Sequence, residues 1–115
     1  MRMLFLVSVA IAGLAGTICT ALSADVRVYV RHEVANYAEW RKVYDSFEEE
    51  RKSMGVLNGA VYQSVDDPND VTVWHEFKTV DAARAFASSP KLKATMLRAG
   101  VKIPVQVWFT IQADK

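Results

Sequence analysis

The sequence predicts an α+β fold: a ferredoxin-like two-layer sandwich of order β-α-β-β-α-β. A four-stranded antiparallel sheet carries two helices on one face, the second of them broken. Three observations predict it. Residues 26 to about 33, 71–77 and 102–112 alternate apolar and polar side chains with a period of two. Tyr37, Trp40, Val43, Tyr44, Phe47, Arg51 and Met54 recur at steps of three and four, which is one face of a helix. Asp66-Asp67-Pro68-Asn69-Asp70 is dense turn chemistry between two strand-like runs, which makes those runs a hairpin.

The chain has 115 residues, one domain's worth, and its start differs from the rest. Met1-Arg2 is a small positive region, and Met3 to Leu22 is uncharged and rich in Leu, Val, Ile and Ala. Small residues around Ala21, Ser23 and Ala24 precede the first acid, Asp25. This order predicts a secretory signal peptide over residues 1–24, followed by a domain over residues 25–115 and a periplasmic or secreted location. An uncleaved membrane anchor is the alternative. The only cysteine, Cys19, falls in the leader, so the domain has no disulfide or thiol chemistry. Of the 14 Lys and Arg, Arg2 also falls there, leaving 13 basic against 13 acidic residues. That balance argues against nucleic acid as a partner and against stable membrane association after cleavage.

Within the domain, residues 26–33 form the first strand. Val26, Val28 and Val30 share one face, and His32 takes the next place on it. Asn36 is placed to cap the first helix, with Glu39 three residues on. Gly55 ends that helix. Residues 56–65 read as the second strand, with Gly59 as a bulge or soft spot. The third strand alternates Val71, Val73, His75 and Phe77 against Thr72, Trp74 and Glu76. Thr79 caps the second helix, which Ser88-Ser89-Pro90 breaks; Ser89 caps the piece that follows, with Pro90 at its first position. The last strand puts Ile103, Val105, Val107, Phe109 and Ile111 on one side. The first and third strands are expected as central neighbours running parallel, with the valine faces under the helices.

The opposite sheet face carries Arg27, Tyr29, Arg31, Tyr62, Trp74, Glu76 and Trp108. Aromatics and arginines with few lysines are the composition of a protein interface. A homodimer packed sheet to sheet is expected, with Arg31 pairing with Glu76 so that its charge is not buried alone.

His32, Asn36-Tyr37, Trp40, Tyr44-Asp45, the Asp66–Asn69 turn, Ala82-Ala83-Arg84-Ala85-Phe86 and Ser89-Pro90 together resemble the dimeric α+β barrel superfamily. More narrowly, they resemble small bacterial proteins of the cyclase-like and antibiotic-biosynthesis-monooxygenase-like groups. The resemblance covers residues 26–111. It implies the fold, a homodimer, and a substrate cleft between sheet and helices. It leaves the activity open, because the superfamily includes oxygenases, isomerases and haem-binding enzymes.

His32 and His75 are the only histidines, both on the helix-covered face by strand parity. They are expected near one another beneath Tyr37, Trp40 and Tyr44, in an apolar cleft of the kind that holds small molecules. An imidazole with its pKa near 6.5 suits proton transfer there. The candidate catalytic residues are therefore His32 and His75, and the candidate substrate-binding residues are Tyr37, Trp40 and Tyr44. No cofactor is expected. There is no phosphate-binding glycine loop, two histidines lack a third metal ligand, and neither helix offers the axial histidine that haem-using relatives supply. The leading expectation is a cofactor-independent monooxygenase- or cyclase-like enzyme acting on a small aromatic or cyclic compound. The alternative is a non-catalytic periplasmic small-molecule-binding or stress-related module on the same scaffold. An enzyme needs an open pocket that reaches an imidazole; a module does not.

Overall fold

The computed structural model describes residues 25–114; the expected leader lies outside them. The elements run β1 (Val26–Val34), α1 (Tyr37–Ser46), α2 (Glu48–Ser53), β2 (Asn58–Gln63), β3 (Asp70–Phe77), α3 (Val80–Ala87), α4 (Pro90–Arg98) and β4 (Val101–Ile111). The sheet order is β2-β3-β1-β4. This is the ferredoxin-like α+β fold expected from the sequence.

One expectation is corrected. β1 and β3 are neighbours, but they run antiparallel, as does every other pair in the sheet. The helical crossover brings β2 back in the direction of β1. The 64–69 turn then reverses the chain, and β3 enters between them pointing the other way. The register sets His32 opposite Val71 and His75 opposite Val28. The two histidines share a face, yet lie four residues apart along the ladder, roughly 13 Å at the usual rise.

The caps are those the sequence specifies. Asn36 Oδ1 accepts from the Glu39 N–H at 3.0 Å, Thr79 Oγ1 from Ala82 at 3.1 Å, and Ser89 Oγ from Leu92 at 3.2 Å. Each satisfies an N–H that the first turn leaves free. The first helix differs from expectation in being broken at Phe47. There the backbone takes φ −95 and ψ 6, and the N–H turns to the Tyr44 carbonyl at 3.1 Å. This tighter, three-residue closure ends α1 and starts α2. Phe47 and Arg51 both finish buried.

The helix-covered face holds two packed groups. Val34, Trp40, Val71, Val73, Ala99 and Val101 form one; Val26, Val28, Phe77, Ala83 and Phe86 form the other. The seam between them is where the functional candidates lie. β4 is less covered than its alternation suggests, with Ile103 82% and Ile111 56% exposed. Opposite His32 the ladder is irregular: Arg31 pairs with Gln106 and Glu33 with Lys102, so Ile103, Pro104 and Val105 face one residue of β1.

On the outer face, Tyr29 and Trp108 stack with centroids 5.4 Å apart, and the Arg27 guanidinium lies 3.9 Å above the Trp74 ring. Arg31 does not pair with Glu76. The register puts Glu76 beside Arg27, and Arg31 instead makes a two-pronged contact with Asp70, Nε to Oδ1 at 3.1 Å and Nη2 to Oδ2 at 2.7 Å.

Candidate functional site

Helix geometry links the separated histidines. Trp40 and Tyr44 are four residues apart on α1, one turn, and so project over the same strip of sheet. The His32 ring meets Trp40 edge-on at 5.9 Å. Trp40 stacks on Tyr44 at 4.9 Å, Tyr44 on His75 at 6.0 Å, and His75 meets the edge of Phe86 at 5.3 Å. The imidazoles are thus the ends of an aromatic row and do not touch. Tyr37 packs on Trp40 at 5.8 Å and its hydroxyl accepts from Arg41 at 3.2 Å. It lines neither of the spaces described next.

Beneath the row lies a cavity of about 60 Å³ that touches both histidines, Trp40, Tyr44, Arg51 and Thr95. Its walls are almost wholly carbon. A benzene-sized site needs roughly 150 Å³, so this space does not hold a ring. On the other side of Tyr44, Arg51 and His75 is a groove of about 350 Å³ between α1–α2 and β2. Those three side chains are shared by both spaces and form the wall between them.

The wall is a bonded unit. The Tyr44 hydroxyl and His75 Nε2 are 2.9 Å apart. The Arg51 guanidinium lies 3.7 Å over the Tyr44 ring and donates to the Tyr44 carbonyl. Gly59, opposite His75 in the register, makes room for the imidazole: a Cβ there would sit 2.8 Å from His75 Cδ2 and 2.7 Å from the Trp74 carbonyl oxygen. The soft spot in β2 is therefore the floor under His75.

Burial sets the protonation states. His75 is 5% exposed, and its pKa is pushed down to about 4, first by loss of solvation and then by the Arg51 charge. His32 is lowered for the first reason. Burial raises the Tyr44 phenol despite the pull of Arg51. At neutral pH the row is uncharged, and Arg51 is the cation at its edge. The Nδ1 atoms of both histidines are buried without a hydrogen-bond partner.

Arg51, Thr95 and Phe86 belong to this site and were not singled out from the sequence. Arg51 had a visible signal, a charge on an otherwise apolar helical stripe seven residues after Tyr44. Among the described residues there is no cluster of three metal-ligating side chains. Asp67 accepts from Asn69 N–H and Asp70 holds Arg31, so the hairpin carboxylates serve the turn and the strand.

No protein-family model and no curated protein matches the sequence. Solved structures do. A protein of Bordetella bronchiseptica assigned by name to the antibiotic biosynthesis monooxygenases superposes with a TM-score of 0.67 at 16% identity, over 78% of this chain and 98% of that one. SnoaB of Streptomyces nogalater, a cofactor-independent oxygenase, gives 0.64 at 19% identity over 80% of this chain and 96% of its own. A conserved protein of Methanosarcina mazei gives 0.62 at 19% identity over 79% and 95%. The fold is that of the antibiotic-biosynthesis-monooxygenase-like α+β proteins.

Proposed function

We propose that this chain is a cofactor-independent, monooxygenase- or cyclase-like enzyme for a small aromatic or cyclic compound, exported and working as a homodimer joined through the Tyr29, Trp74 and Trp108 sheet face. The observation that carries the reading is the Tyr44–His75 hydrogen bond in the wall of a groove large enough for an organic ligand. The fold shared with SnoaB supports it.

The ligand lies in the groove, and Tyr44 takes a proton from an acidic C–H or phenolic O–H as it hands its own to His75 Nε2. The imidazole is uncharged at neutral pH and so is available as the acceptor. The carbanion or phenolate left behind is electron-rich enough to react with dioxygen or to close a ring without a bound cofactor. Trp40 backs Tyr44, and His32 anchors the far end of the row, a positioning role.

The test is dioxygen uptake and product formation with a panel of phenols, quinols and polycyclic aromatic substrates. Tyr44→Phe and His75→Gln should each lower kcat by roughly 100-fold or more, the ordinary worth of a positioned proton-transfer group. Turnover that survives both substitutions would remove the proposal. A second reading, a non-catalytic binding module, is favoured by the small size of the inner cavity. It expects ligand binding with no product from any of the panel.

A further inference from the structure

We propose that Arg51 makes the groove a receptor for a small monoanion with a flat apolar body, an aromatic carboxylate or a phenolate, whose charged oxygens meet the guanidinium. This rests on the groove being where substrate enters.

The charges lining the groove do not cancel. Arg41 is paired with Asp45 at 3.0 Å, and Lys52 with Glu48 at 3.4 Å. Those are all the carboxylates in its lining. Arg51 is left, 8% exposed, with no carboxylate within 4.0 Å among the described residues. A guanidinium keeps its charge when buried, and one without a counter-ion is costly. Two features of the fold offset part of that cost: the Tyr44 ring face, and the Tyr44 carbonyl at the negative end of α1. They occupy one of its five N–H donors. The remaining donors form a planar fork that matches two oxygens of one anion.

The opposite wall of the groove is residues 56–61, where Val56, Leu57, Ala60 and Val61 stand with Asn58 and Gly59 and no charged side chain. Leu57 is 63% exposed. A ligand that meets a single unpaired cation on one side and this uncharged, mainly apolar wall on the other is an amphiphilic monoanion. A dianion would leave its second charge without a cation, and a neutral ring would leave the guanidinium unmatched. A bound anion also offsets the Arg51 charge that disfavours the His75 imidazolium, so it readies the proton acceptor.

The test titrates the full chain with 4-hydroxybenzoate and, separately, with its neutral amide, 4-hydroxybenzamide, following the backbone amides of residues 58–61 by NMR. The acid should bind roughly tenfold or more tightly than the amide, and Arg51→Gln should erase that difference. Arg51→Lys, which keeps charge but loses the fork, should retain part of it. Arg41→Gln should change it less than about twofold, because Arg41 is already paired. Equal affinity for acid and amide, no binding of either at millimolar concentration, or an equal loss in Arg41→Gln overturns the proposal. Should Arg51→Gln fail to fold, the wild-type comparison and Arg51→Lys decide the matter. Selective anion binding without turnover removes the enzymatic reading and leaves this one standing. Turnover of neutral and anionic substrates alike does the reverse.

Discussion

Acidification should destabilise this protein, and one buried residue should account for a measurable share of the loss. His75 is buried in its neutral form, with its pKa pushed from 6.5 to about 4. In the unfolded chain it returns to the ordinary value. Between those values the unfolded state binds more protons, so stability is full above about pH 6.5 and falls as pH drops toward 4. Two-state linkage puts the loss at about 2.5 kcal/mol by pH 4.5. His32 shifts the same way and adds to the loss. The informative quantity is therefore the difference between wild type and His75→Gln, which keeps a hydrogen-bonding partner for Tyr44 but does not titrate. Urea denaturation at about pH 7.5 and about pH 4.5 gives it. The wild type should lose about 2.5 kcal/mol more than the variant, a midpoint difference on the order of 2 M for a domain of this size. Parallel pH profiles for the two proteins would mean that His75 is not held neutral by burial, and the account of the wall would fail with it.

Three further outcomes follow from the packing. Gly59→Ala should cost about 1–3 kcal/mol and shift the His75 ring resonances, since its Cβ would fall inside contact distance of both His75 and the Trp74 carbonyl; unchanged ring shifts would contradict the close approach. Trp40→Ala removes a ring 4% exposed that joins His32 to Tyr44, and should cost about 3–5 kcal/mol in chemical denaturation. Trp108→Glu, which puts a charge in the Tyr29 stack on the outer sheet face, should give monomers in sedimentation, and a dimer that persists would place the interface elsewhere.

The fold was legible because its signals are local. Alternation fixed which side of β1 and β3 faces the helices, and Asn36, Thr79 and Ser89 marked helix starts that the structure keeps. Strand direction is not local. Whether β1 and β3 run together depends on how the crossover and the hairpin combine, and with the two strands taken as parallel the histidines converge at one end. In the antiparallel sheet they separate, and the site is organised by the α1 spacing of Trp40 and Tyr44. The break at Phe47 left no mark that periodicity could detect, because Phe47 and Arg51 stay on the same stripe either way. Arg51 was legible as a position but not as a role. Its meaning depends on Asp45 and Glu48 being taken by Arg41 and Lys52, pairs that the i,i+4 spacing does signal, and on the guanidinium folding over the Tyr44 ring, which spacing does not.

The irregular stretch of β4 bears on how this sheet ends. β4 is an outermost strand of 11 residues, and an unbroken edge of that length is a template on which further chains can grow. Pro104 removes one backbone donor, and the three residues facing a single residue of β1 interrupt the ladder. The regular pairing that remains runs from Gln106 to Ile111, with a two-residue remnant at Val101 and Lys102. The regular part of the strand is thereby shortened, and Lys102, at the inner end of the shorter piece, adds a charge beside the break. The misfit opposite His32 thus leaves a neighbouring chain a shorter regular edge to pair with than the length of β4 would offer.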